Sequence, residues 1–251
     1  MRDILSRASR PILTQLARER TLCAFDFDGT LAPIAERPDQ AGMRARTRRL
    51  LARLAALYPC VILSGRARAE VLAKLGGVRV ERVIGNHGAE TAAIQTKTRR
   101  QVGKWKEALE PAIRSLPGIW VEDKGFSLAV HYRQSPRKAA ARRRIVEASR
   151  KLERVRVYGG KQVINLVMSG APGKGDALAS EQERLRCAWV LYVGDDENDE
   201  DAFALGGNTI AVRVGRKRHS NAGYFLRSQA EIDELVELLV SERALMRAAP
   251  G

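Results

Sequence analysis

The sequence predicts an α/β fold: a Rossmann-like parallel-sheet core with helices on both faces, plus an inserted α+β module. Three observations carry that expectation. Short apolar runs alternate with amphipathic helical stretches in the outer parts of the chain, the pattern of right-handed strand–helix–strand crossovers. The middle, about Gln101 to Gly170, places strand-like runs in close succession instead. Four of the outer runs end in polar residues, and open parallel sheets gather function at the carboxyl ends of their strands.

Taken in order, Thr21–Phe27 ("TLCAFDF") reads as a strand buried on both faces. Leu50, Leu51, Leu54 and Leu57 then recur at helical spacing. "CVILSGR" (Cys60–Arg66), "AEVLAKL" and "RVIGNHGAE" (Arg82–Glu90) continue the alternation. In the middle, "GIWVEDKG", "FSLAVHYR" and "RVRVYGGKQVINLVM" read as strands, with a long helix before the last stretch. They predict an antiparallel sheet. The parallel pattern resumes with "DALASEQERL", "WVLYVGDDEND" (Trp189–Asp199) and "TIAVRVG" (Thr209–Gly215). A final helix is expected over Ala230–Leu245, its stripe formed by Ile232, Leu235, Leu238 and Leu239. Residues 1–100 and 171–251 are thus expected to form the core, and 101–170 the insertion.

Composition narrows the function classes. No apolar run approaches the ~18 residues of a membrane span. "MRDILSRASR" lacks the apolar stretch of a secretory signal, so a cytoplasmic protein is expected. Cys23, Cys60 and Cys187 share no metal-ligand spacing and read as reduced core residues. The net charge of +15 raises the question of a nucleic-acid partner. However, the arginines are spread along helical patterns, and aromatic residues, at 5%, do not alternate with them. A solvated basic surface is favoured over nucleic-acid binding. A monomer is the expected state.

The chemistry begins with "DFDGT". Asp26 and Asp28 end an apolar strand, where two neighbouring carboxylates are costly unless a positive charge lies between them. "GDDENDED" (Gly194–Asp201) follows another strand, so carboxylates from two strands, Asp26 and Asp28 with Asp195 and Asp199, can share a hard cation. Oxygen-only ligation favours Mg²⁺. A carboxylate is ionised at neutral pH and attacks phosphorus without a base. Asp26 suits that role, with Asp28 as acid and base. Ser64 and Lys174, with backbone N–H groups, would neutralise phosphoryl oxygens. "GAPGKGD" fails as a nucleotide loop, because Met168 stands at the first glycine position and Gly175 follows the lysine.

These residues, "DFDGT" at Asp26–Thr30, Ser64 in "ILSGR", Lys174, and "GDDEND" at Gly194–Asp199, resemble the four ordered motifs of the haloacid dehalogenase superfamily of phosphatases. The resemblance implies Asp26 as nucleophile and Asp28 as acid/base, its backbone carbonyl also on Mg²⁺. It further implies Asp195 as acidic metal ligand, Asp199 as its support and Asn198 near the phosphate. The inserted module would be a cap that closes over the site.

"GNHGAE" (Gly85–Glu90), "VEDKGFSLAVHYR" (Val121–Arg133) and "GGKQVINL" (Gly159–Leu166) resemble the trehalose-6-phosphate phosphatase family. That likeness implies sugar-hydroxyl binding by Glu122 and Lys124. It also brings Gly65, Arg66, Asn86, His87, His131 and Arg133 into the expected substrate site. One position departs: the family usually carries glutamate where Asn165 stands, and asparagine loses the charge-assisted acceptor while gaining a donor. Trehalose 6-phosphate is the expected substrate, with another glycosyl or simple sugar phosphate as the alternative.

Overall fold

A computed structural model of the protein describes residues 1–35, 37–88, 95–160 and 162–248. Ala89, Glu90 and Lys161 of the quoted motifs, and residues 249–251 at the end of the sequence, lie outside them.

Two sheets form. The larger has seven strands, all parallel: β1 (Arg2–Asp3), β2 (Thr21–Phe25), β3 (Cys60–Leu63), β4 (Arg82–Ile84), β9 (Trp189–Gly194), β10 (Thr209–Val214) and β11 (Tyr224–Leu226), in the order β1-β11-β10-β9-β2-β3-β4. The smaller is antiparallel, with β5 (Trp120–Asp123), β6 (Ser127–His131), β7 (Val155–Gly160) and β8 (Val163–Met168) in the order β5-β6-β8-β7. The α/β class with an α+β insertion is thus the observed one. Arg154–Met168 divides into two strands, β7 and β8. The two-residue β1, β11 and the first helix are elements that the apolar pattern did not reveal.

Among the described residues eight α-helices surround the sheets: α1 (Arg10–Arg18), α2 (Ala45–Ala55), α3 (Arg68–Lys74), α4 (Gln95–Ile113), α5 (Lys138–Ser149), α6 (Lys174–Leu185), α7 (Glu200–Phe203) and α8 (Ile232–Ala248). Strand alternation divides the core in two. Cys23, Phe25, Cys60, Ile62, Leu191 and Val193 point to one side. There they meet Leu13 and Leu16 of α1, Leu50, Leu51 and Leu54 of α2, and Ile232, Leu235 and Leu239 of α8. Leu22, Ala24, Val61, Leu63, Val190 and Tyr192 point to the other, against Leu178 of α6 and Phe203 of α7. The strands are buried on both faces, which is why they read as continuous apolar runs. From one face of the cap sheet Leu128, Val130, Ile164 and Leu166 pack on Val102, Trp105 and Leu109 of α4 and on Ile145 of α5, while Ser127, Ala129 and Val167, of opposite parity, are buried as well. Its other face turns to the core.

All three cysteines are buried and unpaired by disulfides. Among the described residues, no helix is long and apolar enough to cross a membrane.

Candidate active site

β2 lies between β9 and β3, the point where the chain reverses its direction of travel across the sheet. A crevice opens at such a switch point, at the strand carboxyl ends. Asp26 follows β2, and its N–H donates to the Val193 carbonyl of β9 at 2.8 Å, which seats it beside Asp195. Carboxylate oxygens of Asp26, Asp195 and Asp199 lie within 4.8 Å of one another, and all three residues are buried.

Lys174, the first residue of α6, is 1% exposed and bridges this cluster. Its Nζ donates to Asp26 Oδ1 at 2.8 Å and to Asp199 Oδ1 at 2.6 Å. Although burial alone would lower it, the two carboxylates hold the lysine well above its ordinary range, so it is a fixed ammonium. Asp199 is saturated: Tyr192 donates to Oδ1 at 2.6 Å, and the Asp195 and Asp196 N–H groups donate to Oδ2 at 2.9 Å each. That pattern makes Asp199 a strut for the lysine and for the turn that presents Asp195.

One ammonium does not balance three buried carboxylates. Burial pushes the Asp26 carboxyl well up; Lys174 opposes that, while Asp199 and Asp195 add to it. A cation fits this donor set, which is all oxygen. Gly29 shapes the cradle. Its φ of +82° suits glycine, and a Cβ there would fall 2.1 Å from Asp195 Oδ2.

Asp28 is placed differently. Arg66 takes it in a fork, with Nε to Oδ2 at 2.6 Å and Nη2 to Oδ1 at 2.8 Å, while its Nη1 pairs with Glu70 one turn along. Ser64 follows β3 and is fully buried, its Oγ accepting from the Arg66 N–H at 3.1 Å. Gly65 exposes its carbonyl to the cap and leaves room for His87, whose Cε1 lies 2.5 Å from where a Cβ would be.

His87 is buried, with φ +59° in the turn after β4, and its ring stacks near Tyr158 at 5.7 Å. Burial, with Lys124 and Lys174 nearby, holds the imidazole well below its ordinary value, so it is neutral. Asn165 lies near enough to favour the charged ring, yet neither ring nitrogen has a well-formed hydrogen bond among the described residues. Asn86, expected to meet substrate, is fully buried beneath the cavity. Its Oδ1 accepts from Ser127 Oγ of β6 at 2.7 Å, which ties cap to core.

The cap overhangs the crevice, leaving a cavity of about 730 Å³. Strand register decides what it offers. Trp120 and Glu122 of β5, His131 of β6, and Val163 and Asn165 of β8 share its inner face. Glu122 Oε2 and His131 Nε2 are 2.8 Å apart. Burial would raise the Glu122 carboxyl, but His131, Lys124 and Arg66 together hold it below its ordinary value. Lys124 donates to the Gly65 carbonyl at 2.8 Å, and Arg133 Nη1 to the Ala35 carbonyl at 2.9 Å, two further cap–core links. Burial lowers the Lys124 ammonium, opposed by Glu122 and Glu70. Asn198 also lines the cavity, its Oδ1 buried without a hydrogen-bond partner among the described residues.

Asp26, Asp28, Gly65, Arg66, His87, Glu122, Lys124, His131, Arg133, Asn165, Asp195 and Asn198 therefore line one cavity. Ser64, Asn86, Lys174 and Asp199 stand behind it. Sequence reasoning passed over Tyr192, Glu70 and Trp120. Tyr192 is the polar interruption in "WVLYVG". Glu70 stands four residues after Arg66, the spacing of a helical ion pair. Trp120 shares strand parity with Glu122.

Fold and site together are those of a capped α/β protein built around an aspartate cluster at the switch point of a parallel sheet. The trehalose-phosphatase family model matches residues 24–230, and the chain belongs to that family. A trehalose-phosphate phosphatase of Mycobacterium ulcerans is 34% identical over 96% of this chain, which spans 66% of that relative's length. A trehalose 6-phosphate phosphatase of Zea mays is 27% identical over 93% of the chain and 73% of its own. Among solved structures, an Aspergillus fumigatus trehalose-6-phosphate phosphatase aligns over 96% of this chain and 99% of its own, at TM-score 0.65 and 26% identity. The acidic cluster and the family together imply a bound metal.

Proposed function

We propose that the chain hydrolyses trehalose 6-phosphate to trehalose and phosphate, with Mg²⁺, through an aspartyl-phosphate on Asp26. The observation that carries this reading is the Asp26–Lys174–Asp199 bridge facing Asp195 at the sheet's switch point. Relatives named for this activity support the substrate.

Asp26, Asp195 and the backbone carbonyl of Asp28 would hold the cation, with Asp199 supporting Asp195. When bound, Mg²⁺ neutralises Asp26 and the phosphoryl oxygens. Asp26 Oδ2, the oxygen that Lys174 leaves, attacks phosphorus as the P–O bond to the sugar breaks, and Asp28 gives its proton to the leaving oxygen. Asp28 then takes a proton from water, which attacks phosphorus and returns Asp26 as a carboxylate with release of phosphate. Arg66 orients Asp28, and Ser64 and Lys174 brace the phosphoryl site. Residues 1–100 and 171–251 carry the hydrolysis, and 101–170 select the sugar through Glu122, Lys124, His131, Arg133 and Asn165, with His87 and Asn198 on the core side.

Replacing Asp26→Asn should lower turnover by about 10⁴-fold or more while the melting temperature stays near that of the wild type. An active variant would remove Asp26 as nucleophile. Asn165 supports a second reading, a different glycosyl phosphate, because it faces the cavity as an amide where the family usually places a carboxylate.

A further inference from the structure

The cap contributes charged Glu122, Lys124 and Arg133 to the cavity wall, with Val163 and Asn165 beside them. Trp120 is the largest apolar side chain among them. It opens β5, the edge strand of the cap sheet, and is 41% exposed although it lines a cavity.

Its orientation is fixed. Trp120 and His131 are register partners on β5 and β6, and their rings stack at 3.9 Å between centroids with 8° between planes. His131 is in turn held by Glu122 at 2.8 Å. The carboxylate sets the imidazole, and the imidazole backs one face of the indole. A single exposed apolar side chain is ordinary, but one pinned flat inside a cavity that also carries charged groups is an immobilised aromatic surface.

A pyranose ring has an apolar C–H face and a rim of hydroxyls. A pinned indole beside carboxylate, ammonium and guanidinium groups offers a partner to each. Asp26 and Asp195 follow core strands β2 and β9. Lys124, just past the end of β5, reaches the Gly65 carbonyl beside Arg66, whereas Trp120 opens β5 four residues earlier, ~13 Å back along the strand. The ring that reaches it is therefore the one farther from the phosphate. We propose that Trp120, backed by His131, is the stacking platform for the second sugar ring, and so selects disaccharide over monosaccharide phosphates. The proposal rests on the sugar-phosphatase reading above.

Two measurements test it. Replacing Trp120→Ala should lower kcat/KM for trehalose 6-phosphate about 10-fold, mainly through KM, and cost clearly less for glucose 6-phosphate or a sugar-free aryl phosphate. Trp120→Phe should restore most of the loss. Separately, titrating wild type with trehalose should change the intrinsic fluorescence, and Trp120→Phe should abolish that change. Trp105 is 1% exposed and lies in the cap's own core, so it serves as the internal reference. Equal losses on all esters, or a fluorescence change that survives in Trp120→Phe, would overturn the platform. A wild type that leaves trehalose 6-phosphate intact would instead sink the substrate reading, and the fluorescence titration would still decide the role of Trp120.

Discussion

At the scale of single residues, the site is a problem in charge balance. Lys174 is buried because two carboxylates meet it, and Asp26 and Asp199 are buried because the lysine and other donors meet them. Removing the lysine leaves buried carboxylates uncompensated, which costs more than the intact pairs contribute, whereas neutralising one carboxylate of the excess does not. Lys174→Met should therefore destabilise the metal-free protein by about 3–5 kcal/mol. Denaturant unfolding in a chelator measures it, and a loss below ~1 kcal/mol would contradict the balance. The aspartates and the lysine were legible in the sequence because buried carboxylates after an apolar strand demand a partner. The saturation of Asp199 was not legible: it depends on Tyr192 and on two backbone N–H groups that only the folded turn brings together.

At the scale of elements, periodicity exposed what is buried and missed what is joined. Double-sided burial made β2, β3 and β9 visible as apolar runs, and helical spacing showed α2 and α8. The short strands β1 and β11 gave too few residues for a period, and β7 merged with β8 until pairing separated them. Asn86 reads as a site residue by position, yet its bond to Ser127 places it at the junction between sheets. Ser127→Ala would leave that buried acceptor one donor short, a cost of about 1–3 kcal/mol. Amide exchange in β6 should quicken accordingly, while the strands of the large sheet keep their protection. Unchanged exchange in β6 would remove this bond from the closure of the cap.

At the scale of the whole molecule, burial of His87 couples stability to pH. Its folded pKa lies well below the ordinary 6.5, so between those values the unfolded chain binds a proton that the folded chain refuses. That stability is full above about pH 6.5 and is lost as pH falls below it, by at most about 1.4 kcal/mol per pH unit. His87→Asn should flatten this segment of the curve, measured by unfolding from pH 7.5 to 5; an unchanged slope would contradict a neutral buried imidazole. The substrate is also a property of the whole: in the proposed function core strands bring the reacting groups and the cap the sugar groups, and Asn165 is the position where family likeness and residue chemistry part. The direct measurement is phosphate release from trehalose 6-phosphate beside a panel of glycosyl and simple sugar phosphates, with and without Mg²⁺. The expected result is metal-dependent release in which trehalose 6-phosphate leads the panel by orders of magnitude. Release led by another ester would contradict the substrate, and release that persists in a chelator would contradict the metal-centred site.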